Sequence, residues 1–363
     1  MESKFSIFSP PPNLCNLLIL VFFAFAPSPS LSHLSFNFYA TSCPAAELMV
    51  SNTVRSVSAN DPTIPGKLLR LLFHDCFVEG CDASVLLQGN GTERSDPANT
   101  SLGGFSVIDA AKRVLEIFCP GTVSCADIIA LAARDAVAIV KNSSPHFHVL
   151  SISAIIFSCG IRLTIVILKQ AGGPAFQIPT GRRDGRLSNS ANVRPNIVDT
   201  SFTMDEMINL FNSKGLSLDD LVTLSGAHTI GLAHCSAFSD RFQQDSKGNL
   251  TLIDTSLDIT YAQELIKKCP AGASSTSITV GNDPETSFVF DNQYYRNLLA
   301  HKGLFQSDSV LVEDGRTRKQ VEEFANSEES FFKSWGDSFL KLTTIDVKTD
   351  NEGEIRQSCS FTN

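Results

Sequence analysis

The chain is 363 residues long and 43% apolar, enough for one large domain or two modest ones around a sizeable core. Its formal net charge of −9 gives no basic footprint, which excludes nucleic acid as an expected partner.

Lys4 precedes an apolar run over residues 14–26, followed by prolines and small residues. This reads as a secretory signal peptide over residues 1–33, its apolar part too short for a membrane span. Export permits disulfides. Of ten cysteines, Cys15 falls in the leader and Cys159 in an atypical segment, so ten less two leaves eight. Eight cysteines allow on the order of a hundred pairings.

Residues 45–60 carry Ala46, Met49, Val50 and Val54 at helical spacing. After Pro62 and Pro65 comes the stretch the rest of the chain serves, residues 67–87. Leu68, Leu69, Leu71, Leu72 and Phe73 form an apolar helical run into which Arg70 and His74 are set four positions apart, one turn apart on one face. A permanently charged guanidinium beside a titratable imidazole, with Phe73 adjoining, supplies a charge stabiliser and a proton acceptor in one partly dry place. An oxygen-rich turn follows, with Asp75, Asp82, Ser84 and the carbonyls of Val78 and Gly80, bracketed by Cys76 and Cys81. A lone pair of this kind is more often a core histidine beside a surface arginine. The oxygen-rich turn and a second histidine motif argue against that here.

The run Leu68-Leu69-Arg70-Leu71-Leu72-Phe73-His74-Asp75-Cys76-Phe77-Val78-Glu79-Gly80-Cys81-Asp82-Ala83-Ser84 resembles the distal-haem signature of the secreted plant (class III) haem peroxidases. The resemblance implies Arg70 and His74 as catalytic residues, Phe73 against the haem, and a first calcium held by Asp75, Val78, Gly80, Asp82 and Ser84. It further implies the disulfides Cys43–Cys119, Cys76–Cys81, Cys125–Cys359 and Cys235–Cys269, each contributing roughly 2–4 kcal/mol.

Residues 88–104 are polar and rich in Gly and Asn, hence loop. Within them Glu93 resembles the family's glutamate that reaches the first calcium through water. The family's asparagine partner of the distal histidine is displaced by one residue. Counting forward from Glu93 gives Asn99, and counting back from Gly104 and Phe105 gives Ala98. Asn99 is the expectation, although it lies in an Asn-Thr-Ser sequon whose glycosylation would exclude a buried role. Residues 105–118 and 125–140 show 3.6-residue periodicity and read as core helices.

Residues 141–171 are atypical, since the resembled family passes almost directly into Gly172-Gly173-Pro174. A membrane span over 149–168 has Arg162 near its centre, at a cost of about 2.5–3.5 kcal/mol, and would put the two histidine motifs on opposite sides of a membrane. A long functional lid is the second reading. A retained intron translated in frame is favoured, because Ile, Phe, Leu and Ser runs closing on Lys169-Gln170 are what AT-rich sequence would encode. Residues 172–186 then read as extended and turn-rich. The resemblance makes Pro195 the substrate-contacting proline near the haem edge.

Short amphipathic helices over 203–213 and 217–224 lead to Leu224-Ser225-Gly226-Ala227-His228-Thr229-Ile230-Gly231, which resembles the family's proximal-haem signature. Small residues around His228 would let a flat macrocycle approach the backbone. The resemblance makes His228 the iron ligand and Asp308 the partner on its other nitrogen, which fixes the tautomer and raises its basicity. Thr229, Asp283, Thr286, Val289 and Asp291 match a second calcium site of hard oxygen ligands.

The expected fold is mainly α, a multi-helix haem peroxidase fold with haem b between a distal region (about 34–200 plus the C-terminal segment) and a proximal region (about 201–329). The implied activity is reduction of hydrogen peroxide with one-electron oxidation of small phenolic reductants. The implied cofactors are haem b and two calcium ions. A secreted monomer is expected, extracellular or in the cell wall, with no stable membrane association. The competing reading is a haem-free, non-catalytic calcium-binding or wall-associated isoform, inactivated by residues 141–171. Sequons at Asn90, Asn142 and Asn249 are candidate glycan sites.

Overall fold

The structure, a computed structural model, describes residues 34–139, 174–270 and 278–363. The leader over 1–33 and the atypical segment over 141–171, with their competing readings, lie outside the described residues.

Helix α1 (Ala46–Ser58) buries Ala46, Val50 and Val54, and Glu47 and Arg55 at its two ends match the helix dipole. Helix α2 (Ile64–Val78) takes Pro65 into its first turn, where a missing N–H costs nothing, and is then buried almost all round, so it runs through the core. Helices α3 (Phe105–Phe118) and α4 (Cys125–Ile139) sit where the periodicity puts them. Helix α4 packs along α2 and α1, and α3 packs on α1.

Helices α5 (Met204–Ser213) and α6 (Leu218–Ser225) each open on a capping box, Thr203 with Glu206 and Ser217 with Asp220. There follow α7 (Ile259–Lys268), α8 (Gln293–Leu299), α9 (Gln306–Glu313), α10 (Arg318–Asn326) and α11 (Glu328–Leu342). Helix α11 packs on α6, and α10 on α8. Strands are few and short among the described residues. β1 (Leu232–His234) pairs antiparallel with β4 (Thr279–Gly281), and β2 (Phe242–Gln244) with β3 (Leu250–Leu252). None of the described helices is long and apolar enough to cross a membrane.

One core runs from Leu71, Phe77 and Leu131 through Phe211 and Leu221 to Trp335. A smaller one gathers Phe238, Tyr261, Leu265, Leu304 and Phe305 beside Cys235 and Cys269. All four disulfides form as the resemblance implied: Cys43–Cys119, Cys76–Cys81, Cys125–Cys359 and Cys235–Cys269.

The chain's end is laced back onto its first half. Beyond the Cys125–Cys359 bond, Arg183 bridges to Lys348 and Asp184 to Glu354. The buried Arg356 guanidinium donates to the carbonyls of Ala83, Cys359 and Gly185 at 2.9, 2.9 and 2.7 Å. Arg182, also buried, lies 2.8 Å from Asp127, whose other oxygen accepts from Tyr39 and the Gly181 amide. These contacts fix the 80–86 turn. Gly80 sits there at φ +88°, and a Cβ would meet the Asp346 carbonyl at 2.4 Å.

Candidate active site

Helix α2 carries His74 into the core, where only 4% of the residue is exposed. Its Nδ1 lies 2.7 Å from Asn99 Oδ1. The Asn99 amide nitrogen donates to the Glu93 carbonyl at 2.8 Å, so the end facing His74 is the acceptor. This network assigns the proton to Nδ1 and leaves the Nε2 lone pair available. Burial and the Arg70 charge outweigh the Asn99 hydrogen bond and lower the His74 pKa to about 3. The imidazole is therefore neutral over the ordinary working range.

It is the side chain of Asn99, and not Ala98, that meets His74. Asn99 is buried. Ala98 contributes its carbonyl instead, accepting from Arg70 Nη2 at 3.1 Å, while Arg70 Nη1 donates to Ser101 Oγ at 2.9 Å. Arg70 remains solvent-accessible, and although desolvation by the surrounding protein lowers its pKa, a group this basic stays charged. Phe73 stands edge-on to His74 at 5.7 Å and packs on Phe77 at 4.3 Å.

The second histidine is held differently. A single 3-10 turn, Gly226–Thr229, follows α6 and presents His228 with its side chain 37% exposed. Its Nδ1 lies 2.8 Å from Asp308 Oδ1, and Phe305 meets its ring at 5.2 Å. Asp308 belongs to the first turn of α9 and also accepts from the Phe305 amide and the Tyr294 hydroxyl. Burial alone would raise the Asp308 pKa, but His228 and these hydrogen bonds outweigh it and hold the carboxyl below its ordinary value. With Nδ1 engaged and the ring half exposed, Nε2 is the nitrogen free to ligate. The donor set fits a haem iron: an oriented imidazole, small Gly226 and Ala227 beside it, and an anionic partner behind it. Gly66 in α2 packs backbone to backbone on Gly231, where a Cβ would lie 2.7 Å from the Gly231 Cα. His74 stands eight residues further along α2, about 12 Å of helix rise from that contact.

Each histidine is followed by a residue of an oxygen cluster. Next to His74, the carboxylates of Asp75, Asp82 and Glu93 are all buried. Asp75 Oδ2 accepts from the Ala83 amide at 3.0 Å and Asp82 Oδ1 from the Ser84 amide at 2.9 Å. Asp75 Oδ1, Ser84 Oγ and Glu93 Oε2 are buried without a hydrogen-bond partner. Helix α2 ends at Val78, where terminal carbonyls lose their helical donors, and Gly80 follows in the left-handed turn. Desolvation first, then the Asp82 charge, raise the Asp75 pKa well above the usual range and push Glu93 up to about 8. Orphaned oxygens on crowded carboxylates fit a cation.

Next to His228, Thr229 Oγ1 lies 2.9 Å from Asp291 Oδ1 and 3.5 Å from the Val289 carbonyl. Thr286 Oγ1 lies 3.1 Å from Asp283 Oδ2 and 3.3 Å from Asp291 Oδ1. All five expected residues thus meet, pinned by the Ile230–Phe288 bridge. Both clusters mix carboxylates with hydroxyls and carbonyls, the ligand chemistry of calcium.

Pro195 is exposed on the Arg194–Asn196 turn, which Arg194 ties to Asp96 at 3.3 Å. No hydrogen bond or ring contact joins it to either histidine among the described residues. Two participants escaped the sequence reading. Tyr294 reaches Asp308 from α8, and Lys348 pairs with Asp82 from the C-terminal segment. Their only sequence signal is proximity to motif residues in a fold not yet known.

The peroxidase family profile matches residues 50–327. Peroxidase 18 of Arabidopsis thaliana is 60% identical over 350 residues, covering 96% of this chain and 96% of that protein. Peroxidase 46 of the same plant is 60% identical over 351 residues, covering 97% and 98%, and peroxidase 66 is 40% identical, covering 92% and 94%. With both histidine niches and all four disulfides in place, this chain belongs to the plant (class III) haem peroxidase family.

Proposed function

We propose that the chain reduces hydrogen peroxide at a haem b ligated through His228 Nε2, and recovers electrons one at a time from small phenolic reductants. The observation that carries this reading is that both histidines have Nδ1 engaged, by Asn99 and by Asp308, so that each offers Nε2.

Haem iron, when bound, supplies the redox centre on which the O–O bond is cleaved. His74 Nε2 takes the proton from the inner peroxide oxygen and returns it to the outer one, which leaves as water. A pKa of about 3 keeps His74 neutral and ready to accept. The Arg70 guanidinium, anchored by Ser101 and Ala98, stabilises the negative charge that grows on the departing oxygen. Asn99 fixes the tautomer of His74. Asp308 holds the Nδ1 proton of His228 and adds electron density to the ligating nitrogen. Two phenol molecules each give up one electron and one proton, completing the balance to two waters.

The first oxygen cluster holds a calcium through Asp75, Val78, Gly80, Asp82 and Ser84, with Glu93 through water, and the second through Thr229, Asp283, Thr286, Val289 and Asp291. Pro195 contributes to the reductant site. The leader over 1–33 directs secretion to the extracellular space or wall, and the mature chain is a monomer. Residues 141–171 derive from a retained intron, a reading rejected if the dominant transcript carries them.

The test is expression of the chain, with haem and calcium supplied. A Soret band together with peroxide-dependent oxidation of a simple phenol is expected. A folded, calcium-binding protein that takes up no haem would overturn the reading in favour of the non-catalytic isoform.

A further inference from the structure

Asp308 Oδ1 accepts two hydrogen bonds at once, from His228 Nδ1 and from the Tyr294 hydroxyl, each at 2.8 Å. We infer that Tyr294 is a positioning residue that sets how strongly Asp308 draws on the His228 proton, and so tunes the electron density that His228 delivers to a bound haem iron. The inference rests on the reading of His228 as the iron ligand.

The argument begins with the two adjacent tyrosines of α8. Tyr295 sends its hydroxyl to the carbonyls of Val222 and Thr223, at 3.0 and 3.2 Å, and so ties α8 to α6. That is a structural role. Tyr294, equally buried, spends its hydroxyl on the one carboxylate oxygen that also serves the second histidine. Its ring stands edge-on to the imidazole at 6.0 Å, and Asn292 fixes the start of α8 by donating to the carbonyls of Phe324 and Ala325. Burial and the Asp308 charge raise the Tyr294 pKa well above its ordinary value, so the phenol remains a donor at every working pH.

An oxygen shared between two donors gives less to each than it would to one, because charge-assisted hydrogen bonds draw on the same lone-pair density. The other carboxylate oxygen already accepts from the Phe305 amide at 3.0 Å. The Tyr294 hydroxyl therefore tempers the imidazolate character that Asp308 confers on His228. Removing it concentrates the carboxylate on the His228 N–H, which stabilises the ferric over the ferrous state and strengthens the iron–nitrogen bond.

The test uses the full chain reconstituted with haem. Tyr294→Phe removes the hydroxyl and keeps the ring. The expected result is a lower midpoint potential for the ferric/ferrous couple than in wild type, and a higher iron–histidine stretching frequency in the ferrous Raman spectrum. Site-specific replacement of Tyr294 by 3-fluorotyrosine, a stronger donor of the same shape, is expected to move both quantities the other way, and it decides the matter if Tyr294→Phe does not fold. In an Asp308→Asn background neither replacement is expected to move them. Unchanged potential and stretch in the haem-loaded variants, or shifts that persist with Asp308→Asn, would reduce Tyr294 to an anchor of α9 and overturn the inference. Absence of a Soret band in the wild-type protein is a separate result that removes the iron ligand itself, and the inference with it.

Discussion

His74 offers its Nδ1 proton to a neutral amide oxygen 2.7 Å away, whereas His228 offers its own to a carboxylate at 2.8 Å. The two bonds are almost equal in length, but an amide fixes the tautomer without adding charge, while a carboxylate fixes it and pushes electron density into the ring. The surroundings reinforce the contrast, since His74 is buried beside a cation and His228 is half exposed against an anion. In the proposed reading one ring is kept a weak, neutral base and the other is made a strong ligand. The chemistry proposed for the chain needs both, and it needs them kept apart.

The comparison breaks most severely where the neutral base is removed. His74→Ala is expected to slow the reaction with hydrogen peroxide by roughly 10³-fold while the Soret band persists, read by stopped-flow against peroxide concentration. Undiminished turnover would reject the assigned base. Asp308→Asn turns the second niche into a copy of the first. A loss of roughly 10–100-fold in haem affinity or peroxide reactivity is expected, together with a raised ferric/ferrous potential. The reverse exchange, Asn99→Asp, places a carboxylate behind the base and raises the His74 pKa from about 3. The base works only when neutral, so activity that survives well into acid in the wild type should fail at higher pH in the variant. The loss is about tenfold at one pH unit below the new pKa. A pH–rate profile with an unmoved acid limb would mean that Asn99 does not control His74.

Much of this contrast was legible before folding, and the reason differs residue by residue. The core helix over 105–118 was readable because it buries one face, so the 3.6-residue period is written into it, whereas the helix over 125–139 is buried almost all round and was readable from its long apolar, alanine-rich run. His74, Arg70 and His228 were readable because dense local motifs surround them. Asn99 was ambiguous by one position, and only the folded loop, which brings the Asn99 amide rather than Ala98 to His74, separates the two. Tyr294 was not legible at all. Its role depends on α8 and α9 packing so that its hydroxyl meets Asp308, and neither helix carries a mark of that meeting. The Asp127–Arg182 pair is similar, a buried contact across 55 positions that no periodicity announces.

The smallest effect expected separates the two oxygen clusters that follow the histidines. The cluster at Asp75 leaves buried oxygens unpartnered, whereas Thr229, Asp291, Thr286 and Asp283 partly satisfy one another. Chelation of calcium should therefore cost more at the first. Glu93, raised by burial to about 8, binds its proton more tightly in the calcium-free folded state than in the unfolded chain. Its contribution is fully present below the unfolded value near 4.5 and is lost as pH rises through about 8. With the proposed calcium in the proton's place as counter-charge, the gap in melting temperature between calcium-loaded and chelated protein should widen from pH 5 to pH 8. It should reach roughly 5 °C where the free ion exceeds its dissociation constant a hundredfold. Glu93→Gln should flatten that widening while leaving calcium bound. Parallel curves for loaded and chelated protein across this range would show that the carboxylates beside His74 are not held by a cation.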